Sequence, residues 1–416
     1  MSAFIYNNKT INNVLIVGYG ITGKSIHSYL NQFSLDISIS DNVDDFTSQD
    51  LQSYDLIAVS PGIPLNREPY SVLKSFGNIT SDIDLFYNHI SSKNIKMIGI
   101  TGSNGKSTIV TMLDYVLTNI GKKSILVGNI GTPILSQVNE GFEYCVVELS
   151  SFQIDLLKIA KFDVACVINI SQDHLDRYND FAEYIQSKLN LEKFTKDFFI
   201  YDFEESGLKY TGDFSIDNQV IYCDKTKLIN LSETKLSGSY NLDNIAVVLS
   251  ILAELDLDVV KAINAIKTFK GLKHRCNNLG QINGVTYIND SKGTNVGATQ
   301  AAIDSLANGK NVVLLLGGVA KGGDFTIMAP SIEKYVKYIS VYGRDADFII
   351  GQLPNGVDIT KSQSMPEAVD KAIGYANSTD VVLFSPACAS FDEFRSYEHR
   401  GDEFEKIFNN LKIKKG

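Results

Sequence analysis

The sequence predicts an α/β protein of three successive units, each built around a mostly parallel sheet. Three observations predict it. Short apolar runs alternate with loops and with stretches of helical periodicity, the pattern of buried parallel strands and their crossover helices. Two glycine-rich loops, over residues 18–23 and 99–108, each follow an apolar run and precede a helical one. The length of 416 residues and an apolar content of 44% allow two or three ordinary cores.

The first unit opens with the strand "NVLIVG" and the loop and helix "YGITGKSIHSYL". "LDISISD", "YDLIAVSPG" and "NITSDIDLF" follow in the same style, and "ISSKNIK" reads as a linker near residues 91–94. The second unit begins with "KMIGIT" and continues through the strands "SILVG", "EYCVVELS" and "DVACVINIS". Short β-like segments over 200–235 then lead to the helix "NLDNIAVVLSILAEL". A second boundary falls at "KGLKHRC". Beyond it "GVTYIND", "NVVLLLGG", "YISVYG" and "DVVLFSPA" are each followed by a helix-like stretch. The expected domains are residues 1–93, 94–272 and 273–416.

Gly18-Tyr19-Gly20-Ile21-Thr22-Gly23 matches G-x-G-x-x-G between a strand and a helix, with Asp41 after the next strand. That context suits a dinucleotide, with Asp41 on a ribose, but also another nucleotide, or a tight turn with no ligand. The second loop, "GITGSNGKST", departs from G-x-x-x-x-G-K-[ST], because Ile100 stands where the first glycine belongs. Gly102 and Gly105 nevertheless let backbone N–H groups converge on a phosphate at a helix start. Lys106 would reach the outer phosphates, and Ser107 would offer a hydroxyl to Mg²⁺. In the following helix Ile109, Met112, Leu113, Val116 and Ile120 share one face, and Gly121 stops it.

Two more loops fall at the carboxyl ends of predicted strands, where open parallel sheets bind ligands. One strand ends at Glu148; the other leads to Asp173, His174 and Asp176. A carboxylate and an imidazole beside a phosphate loop suit Mg²⁺–ATP chemistry. In "FAEYIQSKLNLEKF" the residues Phe181, Tyr184, Ile185 and Leu189 form an apolar stripe that also contains Lys188. Such a lysine either extends its ammonium to water or points into a site.

A net charge of -10 without a long basic run argues against a nucleic-acid surface. No apolar run approaches the roughly 20 residues that span a bilayer, and "MSAFIYNNKT" lacks the regions of a secretory signal. The five cysteines match no metal spacing, and Cys145 and Cys166 read as small buried hydrophobes. A cytoplasmic, monomeric protein without membrane or nucleic-acid partners is the expectation.

In order along nearly the whole chain, "TGSNGKST", "GNIG", "ELSSFQ", "NISQDHLDRY", "SKL", "NDSKGTN", "LLLGGVAKGGDF" and "SPACASFDEF" resemble the Mur ligases. The resemblance implies an N-terminal Rossmann-like domain for a UDP-sugar, a central phosphate-loop ATPase domain, and a C-terminal Rossmann-like domain for an amino acid. It implies ATP-dependent amide formation through an acyl phosphate, with UDP-N-acetylmuramoyl-L-alanine and D-glutamate as substrates.

The resemblance also distributes roles. Gly102, Ser103, Asn104, Gly105, Lys106, Ser107 and Thr108 would hold the phosphates, and Asn244, Arg275 and Asp290 the adenine, phosphate and ribose. Ser107 and Glu148 would bind one Mg²⁺, and His174 with a carbamylated Lys188 a second; Lys106, His174 and Lys188 would be catalytic. Ile21, Thr22, Asp41, Asn42, Gly62 and Asn129 would contact the UDP substrate. Lys292, Thr294, Lys321, Ser390 and Tyr397 would take D-glutamate. This chain departs from the family pattern at four places. Asn42-Val43 replace a frequent arginine, Tyr240 replaces the histidine of G-x-H-N, Gly293 replaces an alanine, and Tyr397 replaces a phenylalanine. Three competing readings are a nicotinamide-dependent oxidoreductase, which leaves the second loop unexplained, a nucleotide sensor, and a ligase of the same family for another amino acid.

Overall fold

The computed structural model describes residues 2–41, 48–139, 141–171, 177–203, 208–209 and 214–415. The described residues form two compact units, one drawn from Met1–Asp213 and Val247–Ile266, the other from Phe214–Ala246 and Lys267–Gly416.

The first unit holds two open sheets. A hairpin of β1 (Phe4–Tyr6) and β2 (Lys9–Ile11) precedes β3 (Asn13–Val17), β4 (Asp36–Ser40), β5 (Leu56–Val59) and β6 (Ile79–Thr80). These last four are parallel in the order β4-β3-β5-β6. The central sheet takes β7 (Lys96–Thr101), β8 (Ser124–Gly128), β9 (Tyr144–Glu148), β10 (Phe162–Asn169), β11 (Thr195–Phe203) and β12 (Leu208–Lys209). Its order is β12-β11-β10-β7-β9-β8, parallel except for β12. Its inner strands are apolar on both faces: Met97, Ile98, Ile100, Cys145, Val146, Val147, Ala165, Cys166 and Val167 are all buried. That is why they read as unbroken apolar runs rather than alternating ones.

The four residues 91–94 are exposed, as a linker would be, and the sheets on either side of them belong to one compact unit. Val14, Ile16, Ile83 and Phe86 share one continuous core with Met97, Val147, Leu157 and Phe162. The helix Asp82–Ile90 locks that junction. Ser81 caps it through Asp84 N, while the Asp84 carboxylate accepts from the backbone N–H groups of Lys158, Ile159 and Ala160 at 2.9, 3.0 and 2.8 Å. The segment 78–86 is mostly this helix, with only two residues in β6.

The second unit carries a three-stranded antiparallel sheet of β13 (Phe214–Asp217), β14 (Val220–Cys223) and β15 (Thr226–Asn230). Its main sheet contains β16 (Asn277–Ile282), β17 (Val285–Asn289), β18 (Val312–Gly317), β19 (Val336–Tyr342), β20 (Asp358–Lys361) and β21 (Val381–Phe384). The order is β16-β17-β21-β18-β19-β20, parallel except for β16. Helices bury an apolar core on each face, around Leu314 and Leu383 on one and Leu315 and Phe384 on the other. Among the described residues no helix is long and apolar enough to cross a membrane.

Candidate active site

The second glycine loop lies where the central sheet changes direction. From β7 the chain runs past β9 to β8 and later returns to β10 on the other flank, so the loops after β7 and β10 share a crevice. Gly102 has φ 152°, and a Cβ there would stand 2.3 Å from Ile168 Cγ1, so only glycine lets the loop lie on β10. Gly105, at φ 91°, is the N-cap of the helix Lys106–Asn119 and has no side chain with which to cap it. A helix start of this kind favours an anion. Ser107 and Thr108 are buried in its first turn. Lys106 Nζ donates to the carbonyls of Gly102 and Ser103 at 2.6 and 2.9 Å.

Lys188 comes to the same carbonyl. The helix Phe181–Leu189 buries Tyr184 and Lys188, and Lys188 is 2% exposed. Its Nζ donates to Gly102 O at 3.0 Å, lies 3.5 Å from Thr101 Oγ1, and stands 4.7 Å above the Tyr184 ring. An ammonium extended to water is therefore not the arrangement adopted. Glu148, at the end of β9, is paired in register with Ile100 and is 3% exposed. Its Oε1 accepts from Asn129 Nδ2 at 3.0 Å, whereas Oε2 is buried with no hydrogen-bond partner among the described residues. A buried carboxylate oxygen left unpaired is costly unless a cation neutralises it. A hard oxygen donor of this kind next to a phosphate loop fits Mg²⁺. His174 and Asn42 lie outside the described residues.

In the N-terminal sheet the loops after β3 and β5 meet at the same kind of crevice. Ser60 Oγ donates to Gly18 O at 2.6 Å, and a Cβ on Gly23 would stand 2.0 Å from that carbonyl. The Asp41 carboxylate accepts from Tyr19 N at 2.6 Å, which fixes the loop's first turn. Ile21 is 79% exposed at the start of its helix, with Thr22 beside it. The exposed Gly62 offers its carbonyl to Arg177 Nη1 at 3.0 Å, and Arg177 stacks 4.2 Å above the Phe152 ring.

In the second unit the proposed amino-acid loops are tied together. Val319 and Ala389 exchange backbone hydrogen bonds, joining the loop of Lys321 to that of the buried Ser390. Lys292 Nζ reaches Tyr397 Oη at 3.4 Å and lies 5.1 Å over its ring, with Thr294 two residues on. Arg400, fully buried, donates to Ser291 Oγ, Ser291 O and Gly317 O at 3.0, 2.8 and 3.5 Å, bridging the ends of β17 and β18. Asn244 is buried and donates to Asn241 Oδ1 at 2.9 Å, and Arg275 is half-buried. Asp290 is turned inward. Its oxygens accept from Cys276 N at 3.1 Å and Ser385 Oγ at 2.6 Å, and burial pushes its carboxyl up to about 6. In this arrangement it braces the loop from beneath. A Cβ at Gly293 would stand 2.6 Å from both Asp290 Oδ2 and Ser385 Oγ, so a larger residue here would have to shift that hydrogen-bonded pair.

Nothing in the sequence marks Asn169 or Arg400. The first stands inside "NISQDHLDRY" and the second just beyond "SPACASFDEF", and neither residue type advertises a loop-holding role.

Fold and loops together define a nucleotide-dependent α/β enzyme with a phosphate loop at the switch point of its central sheet. Two family models match, the Mur ligase middle domain over residues 100–252 and the Mur ligase glutamate ligase domain over 274–388. A UDP-N-acetylmuramoylalanine--D-glutamate ligase of Francisella philomiragia is 56% identical over 99% of this chain and all of its own. One of Francisella tularensis subsp. novicida is 54% identical over the whole of both chains. Among solved structures, a pseudomurein peptide ligase type C from Methanothermus fervidus superposes with a TM-score of 0.62 at 15% identity, covering 96% of this chain and 100% of its own. A MurF ligase from Thermotoga maritima gives 0.59 at 18% identity, covering 99% and 98%. The chain belongs to the Mur ligase family, the ATP-dependent ligases of peptidoglycan precursor synthesis.

Proposed function

We propose that this ligase joins D-glutamate to the L-alanyl carboxylate of UDP-N-acetylmuramoyl-L-alanine. The observation that carries the chemistry is the charge arrangement at the phosphate loop. Two lysines share the Gly102 carbonyl while Glu148 keeps a buried oxygen that no described residue partners. The choice of substrates is supported by the names of the full-length relatives.

ATP would lie with its phosphates against the loop Gly102–Thr108, with Gly102, Ser103 and Asn104 shaping the loop and Gly105–Thr108 facing the phosphates, and Lys106 would exchange the loop carbonyls for phosphate oxygens. Asn244 and Arg275 would contact the nucleotide, with Asp290 holding their loop. Mg²⁺, held by Ser107 and Glu148 and at a second position by His174 and a carbamylated Lys188, would screen the approach of one anion to another. The substrate carboxylate attacks the γ-phosphorus, forming an acyl phosphate as the bond to ADP breaks. The neutral amine of D-glutamate adds to the acyl carbon. Phosphate then leaves from the tetrahedral adduct, and the amine proton passes to solvent. Ile21, Thr22, Asp41, Asn42, Gly62 and Asn129 would orient the UDP substrate. Lys292, Thr294, Lys321, Ser390 and Tyr397 would bind the two carboxylates of D-glutamate, for which two ammonium groups and three hydroxyls are the right chemistry.

We divide these roles among domains at 1–93, 94–272 and 273–416. Because ATP and UDP-sugars are cytoplasmic substrates and one chain supplies every proposed contact, we take the enzyme as a cytoplasmic monomer. Hydroxylamine trapping tests the mechanism. With ATP, Mg²⁺ and UDP-N-acetylmuramoyl-L-alanine, but no amino acid, a hydroxamate of the UDP substrate is expected. Absence of hydroxamate from a preparation that turns over D-glutamate would contradict the acyl phosphate.

A further inference from the structure

We infer that Asn169, at the end of β10, is a positioning residue that holds the phosphate loop in its ATP-binding shape; the inference rests on reading that loop as the ATP site. The Asn169 side chain meets the loop as a peptide group would. Its Oδ1 accepts from Ser103 N at 3.2 Å and Asn104 N at 2.8 Å, and its Nδ2 donates to Asn104 O at 2.9 Å. Two N–H donors and one carbonyl fix which end of the amide faces which partner. The Asn169 backbone carbonyl accepts from Ser103 N as well, at 3.0 Å.

A second tie runs beside the first. Ser103 Oγ accepts from Ser171 N and donates to Ser171 O, both at 2.9 Å, with Tyr184 Oη 3.2 Å away. Ser103 and Asn104 therefore face β10. Their N–H groups are engaged by the protein, which assigns the phosphate contacts to Gly105 and the helix start that follows. A glycine-rich loop has many backbone conformations, and ordering it only when the nucleotide arrives would weaken binding. Asn169 removes that cost before ATP binds. It stands on the strand across the switch point, so it sets the loop's distance from the crevice in which the phosphates would lie.

Hydrogen exchange on the full chain without nucleotide reads the tie directly. In the wild type the amides of Ser103 and Asn104 should be slow to exchange. In Asn169→Ala they should exchange faster, ATP-analogue affinity measured by calorimetry should fall about tenfold or more, and affinity for UDP-N-acetylmuramoyl-L-alanine should stay within about twofold. The isosteric Asn169→Asp, which keeps the acceptor and loses the donor to Asn104, should also weaken ATP binding and serves if the alanine variant does not fold. Unchanged exchange, or faster exchange with ATP affinity within about twofold of wild type, overturns the inference. Lys106→Ala separates the role of Asn169 from the role of the loop. If it loses ATP binding while the Asn169 variants do not, only the role of Asn169 fails. If neither weakens ATP binding, the reading of the loop as the ATP site fails.

Discussion

Glu148 and Lys188 make the sharpest demands on single side chains. A buried carboxylate with one unpaired oxygen predicts that Glu148→Gln raises the Mg²⁺ concentration needed for half-maximal phosphate release and lowers kcat by roughly 100-fold. An unchanged Mg²⁺ curve would remove Glu148 from the metal site. Lys188→Ala should abolish turnover, with small carboxylates restoring part of it at most; wild-type turnover would leave Lys188 as a buried packing group. Asp82 makes a pH-dependent prediction. It is 5% exposed with Oδ1 unpartnered among the described residues, and burial, with a smaller contribution from Asp84, pushes its carboxyl from 3.8 up to about 6. The folded state therefore holds the proton more tightly than the unfolded chain. Ionisation costs stability as pH rises from about 4 to 6, and the cost is complete above that, at most about 3 kcal/mol. Asp82→Asn cannot ionise, so the melting temperature of the variant minus that of the wild type should increase between pH 4.5 and pH 8. A difference independent of pH would contradict this. The sequence made Lys106, Glu148 and Lys188 visible because each breaks a local pattern, a lysine in a glycine loop or a charge in an apolar run. It could not show Asp290 turned inward, because its partners Cys276 and Ser385 are 14 and 95 residues away.

Among the elements, the helix Asp82–Ile90 is the join between the N-terminal and central sheets. Asp84→Ala would leave three backbone N–H groups without their carboxylate, a loss of about 3 kcal/mol or more. A fall of roughly 5–10 °C in the melting transition of that unit is expected. A shift under about 2 °C would mean that the shared core alone holds the two sheets. The inner strands and the two glycine loops were legible, since apolar runs bounded by glycine have few alternatives. The hairpin β1–β2 and the edge strands β16 and β20 were not. "NNLGQI" and "DITK" are short and polar, and pairing with a neighbouring strand, rather than propensity, makes them strands.

At the scale of the whole molecule, three successive α/β sheets were legible from the order of runs and loops. How the first two pack together was not. The exposed residues 91–94 look like a linker, yet Asp84 and a continuous core join the first two sheets into one compact unit. A boundary signal reports local exposure, whereas the join depends on what a helix packs against far along the chain. The reaction belongs to the whole enzyme, and phosphate release from ATP reads it. The assay contains Mg²⁺, UDP-N-acetylmuramoyl-L-alanine and, in separate reactions, D-glutamate, L-glutamate, L-lysine and meso-diaminopimelate. Release that depends on both the UDP substrate and D-glutamate is predicted. No release, or release with meso-diaminopimelate and not with D-glutamate, would overturn the proposed function.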